Sequence, residues 1–226
     1  QFMDAYQYGH GFSRQVLFLR DQAEKRFLDA FDLREDLTRQ VKATLQANPE
    51  LLGLALVFEP NGLDGKDELF AGQSDVGSNE KGRFALYWSQ PTPGQLTSMP
   101  LPEKDIADTS TGPSGEPANA WFTCPRTTLK PCVIEPYFYT IDGQNVLMTS
   151  IVFPLMLNGK LIASLSVDIN LNSLQAISQS ASKKLYDGQT AVSIISPVGL
   201  LAGYSPDASK LSQRLDAVDK TSGAEL

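Results

Sequence analysis

The chain has little with which to do acid–base or metal chemistry. Among its 226 residues there is one histidine, His10, and there are two cysteines, Cys124 and Cys132. The pattern puts His10 at the start of an N-terminal helix, so Ser-His-Asp and Cys-His schemes lack a base. No histidine lies near the cysteines and CxxC spacing is absent, which leaves no metal site, and neither GxGxxG nor GxxxxGK[ST] is present to cradle a phosphate. Cations are in the minority: 19 Lys and Arg against 26 Asp and Glu give a net charge of −7. Nucleic acid needs clustered Lys and Arg along its phosphates and is excluded as a partner. No run of about 18 apolar residues exists, so no stretch of this sequence spans a membrane. The acid pairs Asp64/Asp67 and Asp105/Asp108 fall in turn-rich loops, where solvated carboxylates are the expectation. The reading is not an enzyme, and no cofactor is implied.

What remains supports a packed domain. Hydrophobic residues make up 42% and charged residues 20% of the chain, enough for a real core. Apolar positions recur at helical steps from Tyr6 to Ala30, and Asp32-Leu-Arg-Glu35 reads as a capping box for a second helix from Leu33 to Ala47, closed by Asn48-Pro49. Strands follow at Leu52–Phe58 and Phe84–Trp88. Residues 89–120, rich in Pro, Gly, Ser and Thr, read as a long loop or lid. Three strands come next, Val133–Ile141, Asn145–Leu157 and Lys160–Ile169, joined through Asp142-Gly143 and Asn158-Gly159. Both dipeptides are strong hairpin signals because each turn position needs positive φ. Asn172 is the expected cap of a further helix, after which Thr190–Ser196 and Leu200–Tyr204 open a second, smaller sheet. This order of elements is α+β, not doubly wound α/β. Cys124 and Cys132 sit in a Pro- and Thr-containing loop; an oxidising compartment closes them into a short disulfide, and a reducing one leaves both free.

The densest chemistry lies between Trp121-Phe122 and Val167-Asp168-Ile169, with Glu135-Pro-Tyr137-Phe-Tyr139 between them. An acid at the end of an apolar strand needs a donor or a cation to offset its desolvation. Tyr137 and Tyr139 share one face of their strand, and aromatic faces attract ammonium groups.

Asn48-Pro-Glu-Leu-Leu-Gly-Leu-Ala, Glu59-Pro-Asn-Gly-Leu-Asp-Gly65, Gly82-Arg-Phe-Ala-Leu-Tyr-Trp88, Glu135-Pro-Tyr137, Val146-Leu-Met-Thr-Ser150 and Val167-Asp-Ile-Asn-Leu-Asn-Ser-Leu-Gln175 occur in that order. Together they resemble the double Cache sensor domains of bacterial transmembrane chemoreceptors, especially those of pseudomonads. The resemblance implies a periplasmic domain built of PAS-like modules on a long N-terminal helix, held to the inner membrane by flanking segments and paired as a homodimer through that helix. On this reading residues 1–49 are the stalk helices, 50–185 the membrane-distal, ligand-binding module, and 186–226 the start of an incomplete membrane-proximal module, as in a piece cut from a larger receptor.

The amino-acid-sensing branch of that family carries Tyr-x4-Arg-x-Trp-Tyr, then Tyr-x-Asp, then a later Asp. Trp121, Tyr137 and Asp168 match it; Asn119 stands at the Arg position, Ser114 at the first Tyr, Phe122 at the second, and Tyr139 at the first Asp. Without the Arg fork no bidentate partner for a ligand carboxylate remains; Arg83 and Arg126 are off the motif spacing. The resemblance then implies a small cationic amine (a polyamine, a histamine-like amine or a choline-like one) bound by Trp121, Phe122, Tyr137, Tyr139 and Asp168. Tyr87, Asn119 and Ser166 complete the candidate set. A purine or a small organic acid is the alternative ligand, and a histidine kinase or cyclase the alternative output.

Overall fold

The computed structural model describes residues 2–219, and the chain divides into two compact units. One gathers the chain up to Thr109, Ala118–Val133 and Ser150–Ile169; the other holds Ser110–Pro117, Ile134–Thr149 and the chain from Asn170 onward. The class is α+β, with a long N-terminal helix and antiparallel sheets.

In the first unit, α1 (Phe2–Lys25) buries Ala5, Gly9, Phe12, Val16 and Ala23, the single stripe that a 3.6-residue period creates. His10 lies within this helix rather than at its start, and is exposed. The chain turns at Phe27, whose φ is 53°, and enters α2 (Ala30–Gln46). The expected capping box at Asp32–Glu35 does not form. Asp29 caps instead, its carboxylate accepting the Phe31 N–H at 2.8 Å, so Asp32 lies inside the first turn.

The sheet strands are β1 (Gly53–Phe58), β2 (Ala85–Ser89), β3 (Thr97–Pro100), β4 (Cys132–Val133), β5 (Tyr137–Ile141), β6 (Gln144–Leu157) and β7 (Lys160–Asn170). Their order is β3-β2-β1-β7-β6-β4, with β5 pairing the first residues of β6 within the second unit. Cross-strand partners share a face. Leu54 pairs with Trp88 and Val167, and the Lys42 ammonium of α2 lies 5.0 Å from the Trp88 ring, which places the helices on that face. The opposite face carries Gly53, Ala55 and Val57 beside Ser89, Tyr87 and Ala85 on one flank, and Asp168, Ser166 and Ser164 on the other.

Residues 89–120 are more ordered than the expected loop or lid. They contain β3, paired to β2 from Leu86–Pro100 to Ser89–Thr97, and a short helix, α3 (Glu103–Ile106). Cys124, expected in a loop, belongs with Trp121 and Phe122 to α4 (Ala120–Thr128), and is joined to Cys132 in β4 by a disulfide.

The expected strand Val133–Ile141 is two strands, β4 and β5, because Pro136 has no N–H to give a ladder. Both hairpin signals hold: Asp142 and Gly143 have φ of 49° and 75°, Asn158 and Gly159 of 49° and 77°. In the second unit α5 (Asn172–Tyr186) follows β7. Asn172 is its first residue rather than its cap; the Asn170 side chain accepts the Asn172 N–H at 2.8 Å. A small hairpin of β8 (Ser193–Ile195) and β9 (Leu201–Tyr204) packs on α5, followed by α6 (Leu215–Val218). Here the Gln175 side chain copies a strand, donating to Tyr204 O and accepting from Tyr204 N at 2.8 and 2.7 Å. The proximal segment expected from residue 186 to 226 is described as far as Asp219, and its last residues lie outside the described chain.

Candidate functional site

The sheet face turned away from α1 and α2 is the chemically unusual surface of the first unit. Beside Val57 and Tyr87 it carries Gly53, Ala55, Ser89, Ser164 and Ser166, all buried and small, where a sheet core ordinarily carries more branched or aromatic side chains. Asp168, near the end of β7, is 3% exposed. Two serines on the same face serve it: Ser150 Oγ and Ser166 Oγ each donate to Asp168 Oδ1 at 2.7 Å. Burial pushes the Asp168 carboxyl above the usual carboxylate range, while hydrogen bonding from Ser166, Ser150 and Tyr87 pulls the other way. No ion pair reaches Asp168 among the described residues.

Position by position, the structure brings Tyr87, Ser166 and Asp168 together within the first unit. Tyr87 is Cα partner to Ala55, which is partner to Ser166, and Asp168 is one step along the same face. Asn119 immediately precedes α4, 2% exposed; its Nδ2 donates to Ile106 O at 2.8 Å and its backbone N–H to Asp108 O at 2.9 Å. Because Nδ2 is fixed by a carbonyl, Oδ1 is the free end of the amide, and it has no hydrogen-bond partner among the described residues. Trp121 is half-buried, its ring centroid 5.8 Å from that of Phe122, which is buried. Being consecutive on a helix, the two point in different directions. Phe122 has the Arg126 guanidinium 4.8 Å above its ring. Tyr137 and Tyr139 lie in β5 of the second unit, on its less exposed face, alternating with exposed Phe138.

Both arginines weighed as carboxylate partners are engaged inside the protein. Arg126 forms a two-pronged pair with Glu59, Nε to Oε1 at 2.7 Å and Nη2 to Oε2 at 3.0 Å, and Arg83 Nε holds Glu103 at 2.9 Å. Asp64 and Asp67, expected as solvated loop acids, instead flank Arg34, which is fully buried. Its guanidinium uses all five of its N–H groups, two on Asp64 and one each on Asp67, Ser78 Oγ and Gly82 O. Burial alone would raise the Asp64 carboxyl, but hydrogen bonds from Arg34 and the Lys66 backbone, with their charges, hold it below its ordinary value.

Two members of the site escaped the sequence reading. Ser150 carries no local signal; only the sheet register puts it on Asp168. Gly53 did carry one, since an isolated glycine inside a buried strand marks the close approach of another group.

A buried acid held by hydroxyls thus lies on one face of an antiparallel sheet whose other face carries the N-terminal helices. Residues 37–176 match the family model described as methyl-accepting chemotaxis protein-like, first PDC sensor domain. The chain belongs to this family of sensor domains. It is 60% identical over 225 residues to the methyl-accepting chemotaxis protein TlpQ of Pseudomonas aeruginosa, covering 100% of this chain and 32% of that protein, so the chain spans about a third of the relative's length. Among solved structures it is similar to methyl-accepting chemotaxis protein X, with TM-score 0.65 and 22% identity over 99% of this chain and 81% of the other. The periplasmic sensory domain of the Campylobacter jejuni chemoreceptor Tlp1 follows it with TM-score 0.56 and 12% identity, covering 96% and 74%. At these identities the structural likenesses establish the fold alone.

Proposed function

We propose that this chain is the periplasmic sensor of a transmembrane chemoreceptor and that it binds a small cationic amine, passing occupancy on as a chemotactic signal. Residues 1–49 are then the stalk, 50–185 the ligand module and 186–226 the beginning of a second module. Segments flanking the chain carry it in the inner membrane, and α1, with exposed Phe2, Met3, Tyr6 and Phe18, is the homodimer contact. Binding, not catalysis, is its activity.

The observation that carries the ligand class is Asp168: a buried carboxylate offset only by hydroxyls. Ser150 and Ser166 direct their single protons at Oδ1, so the cluster presents acceptor lone pairs, and a cation beside it favours the ionised carboxyl. Asn119 Oδ1 is a further buried acceptor. A ligand rich in N–H donors and carrying positive charge suits each of these acceptors. A carboxylate ligand would meet an acid, while the two arginines weighed to receive it, Arg83 and Arg126, are held by Glu103 and Glu59. Trp121, half-buried at the start of α4, is the aromatic candidate for cation–π contact.

A thermal-shift series with histamine, spermidine, choline, amino acids, purines and organic acids tests this reading. Histamine or spermidine is expected to raise the melting temperature, and Asp168→Asn to remove that rise. Stabilisation by carboxylates alone, unaffected by Asp168→Asn, would sink it.

A further inference from the structure

Gly53 opens β1 on the same face as Asp168, and the two are Cα partners. The group approaching it is Tyr87. A Cβ placed on residue 53 would stand 2.7 Å from both the Tyr87 hydroxyl oxygen and its Cε2, and 2.9 Å from Cζ. Tyr87 itself pairs with Ala55, so its ring leans diagonally over β1, from its own partner toward the partner of Asp168. Diagonal neighbours on one face are about 7–8 Å apart, within reach of an aromatic side chain.

We propose that Gly53 is a positioning residue of the binding site: its bare backbone is the floor across which the Tyr87 hydroxyl reaches the Asp168 carboxyl. The bearing of this on ligand affinity rests on the amine reading above; its bearing on Tyr87 and Asp168 does not. The three heavy atoms nearest to a methyl group at residue 53 all belong to the outer part of the Tyr87 side chain. The ring swings aside, the strand survives, and the carboxylate loses a donor. Loss of a donor disfavours the ionised form. Among the described residues Asp168 has hydroxyl neighbours in Ser166, Ser150 and Tyr87 and no ion pair, so no competing charge hides the effect.

The test is a carbon-13 carboxyl NMR titration of Asp168, identified by its disappearance in Asp168→Asn. The ligand-free wild type, Gly53→Ala, Tyr87→Phe and the double variant are compared. Each single variant is expected to move the Asp168 titration to higher pH, and the double to move it no further, because both remove one contact. No movement in Gly53→Ala, none in Tyr87→Phe, or additive movements overturn the proposal. If Gly53→Ala is too unstable for NMR, the same change made in a Tyr87→Ala background is expected to lower the melting temperature much less, because the colliding ring is gone; an equal loss in both backgrounds overturns the proposal as well. Histamine affinity, measured by calorimetry, is expected to fall about tenfold in Gly53→Ala and in Tyr87→Phe. A wild type that ignores every amine while the titrations behave as expected rejects the ligand class and leaves the positioning role standing.

Discussion

Asp168 and Asp64 are both withdrawn from water, yet their linkage to stability runs in opposite directions. Asp64 is held low by Arg34, so the stability it contributes is present above the unfolded carboxylate value and is lost as pH falls through its depressed folded value. Asp168 is raised, chiefly by burial, so its contribution is present below the unfolded value of about 3.9 and is lost as pH rises through its folded value. In the ligand-free protein an ionised Asp168 is therefore a charge that folding disfavours. Asparagine keeps the acceptor for Ser150 and Ser166 without the charge. Asp168→Asn is expected to melt a few degrees above wild type at neutral pH without ligand, at about 2–4 °C per kcal/mol for a chain of this length, with the gap closing as pH falls. Melting curves across that range check it; a variant less stable than wild type at neutral pH would show that Asp168 is structural. If the proposed amine binds, histamine is expected to reverse the order, with an affinity that weakens as pH falls and Asp168 takes its proton.

Helix phase and hairpin turns were legible at the level of elements because each is set by neighbours a few residues apart. Leu37, Val41 and Leu45 face inward as their spacing requires, and both Gly-containing turns fall on the expected residues. Pro136 was equally visible, but it acts on a ladder, and its power to divide β4 from β5 was overlooked. Arg34 could not be read at all. Its partners lie 30 to 48 residues along the chain, and nothing local distinguishes it from exposed Arg39. The two make opposite predictions. Arg34→Ala leaves Asp64 and Asp67 without their cation and is expected to lower unfolding free energy by about 3–5 kcal/mol in urea. Arg39→Ala, which releases only exposed Glu35 and Asp36, is expected to change it by less than about 1 kcal/mol. Equal losses would mean that the buried network does not tie α2 to the loop following β1.

Over the whole molecule, the site was legible wherever a residue breaks the pattern around it. Asp168 interrupts an apolar strand and Gly53 a buried one, and conflicts of that kind mark function. Ser150 breaks nothing, and its role appears only when β6 and β7 lie side by side; Ser166, two residues before Asp168 on one strand, was already a candidate. Charge is the other global property in the sequence, and it bears on how a cation arrives rather than on how it is held. The net charge of −7 gives a field that draws cations at neutral pH, and salt shortens its reach from about 30 Å at 0.01 M to about 8 Å at 0.15 M. The contact with Asp168 is buried and escapes most of that screening. Histamine is therefore expected to associate several-fold more slowly at the higher salt while its dissociation rate stays nearly constant. Stopped-flow fluorescence, with Trp88 and Trp121 as reporters, separates the two rates. A dissociation rate that climbs with salt while association is unchanged would place the decisive charge at an exposed position instead of at Asp168.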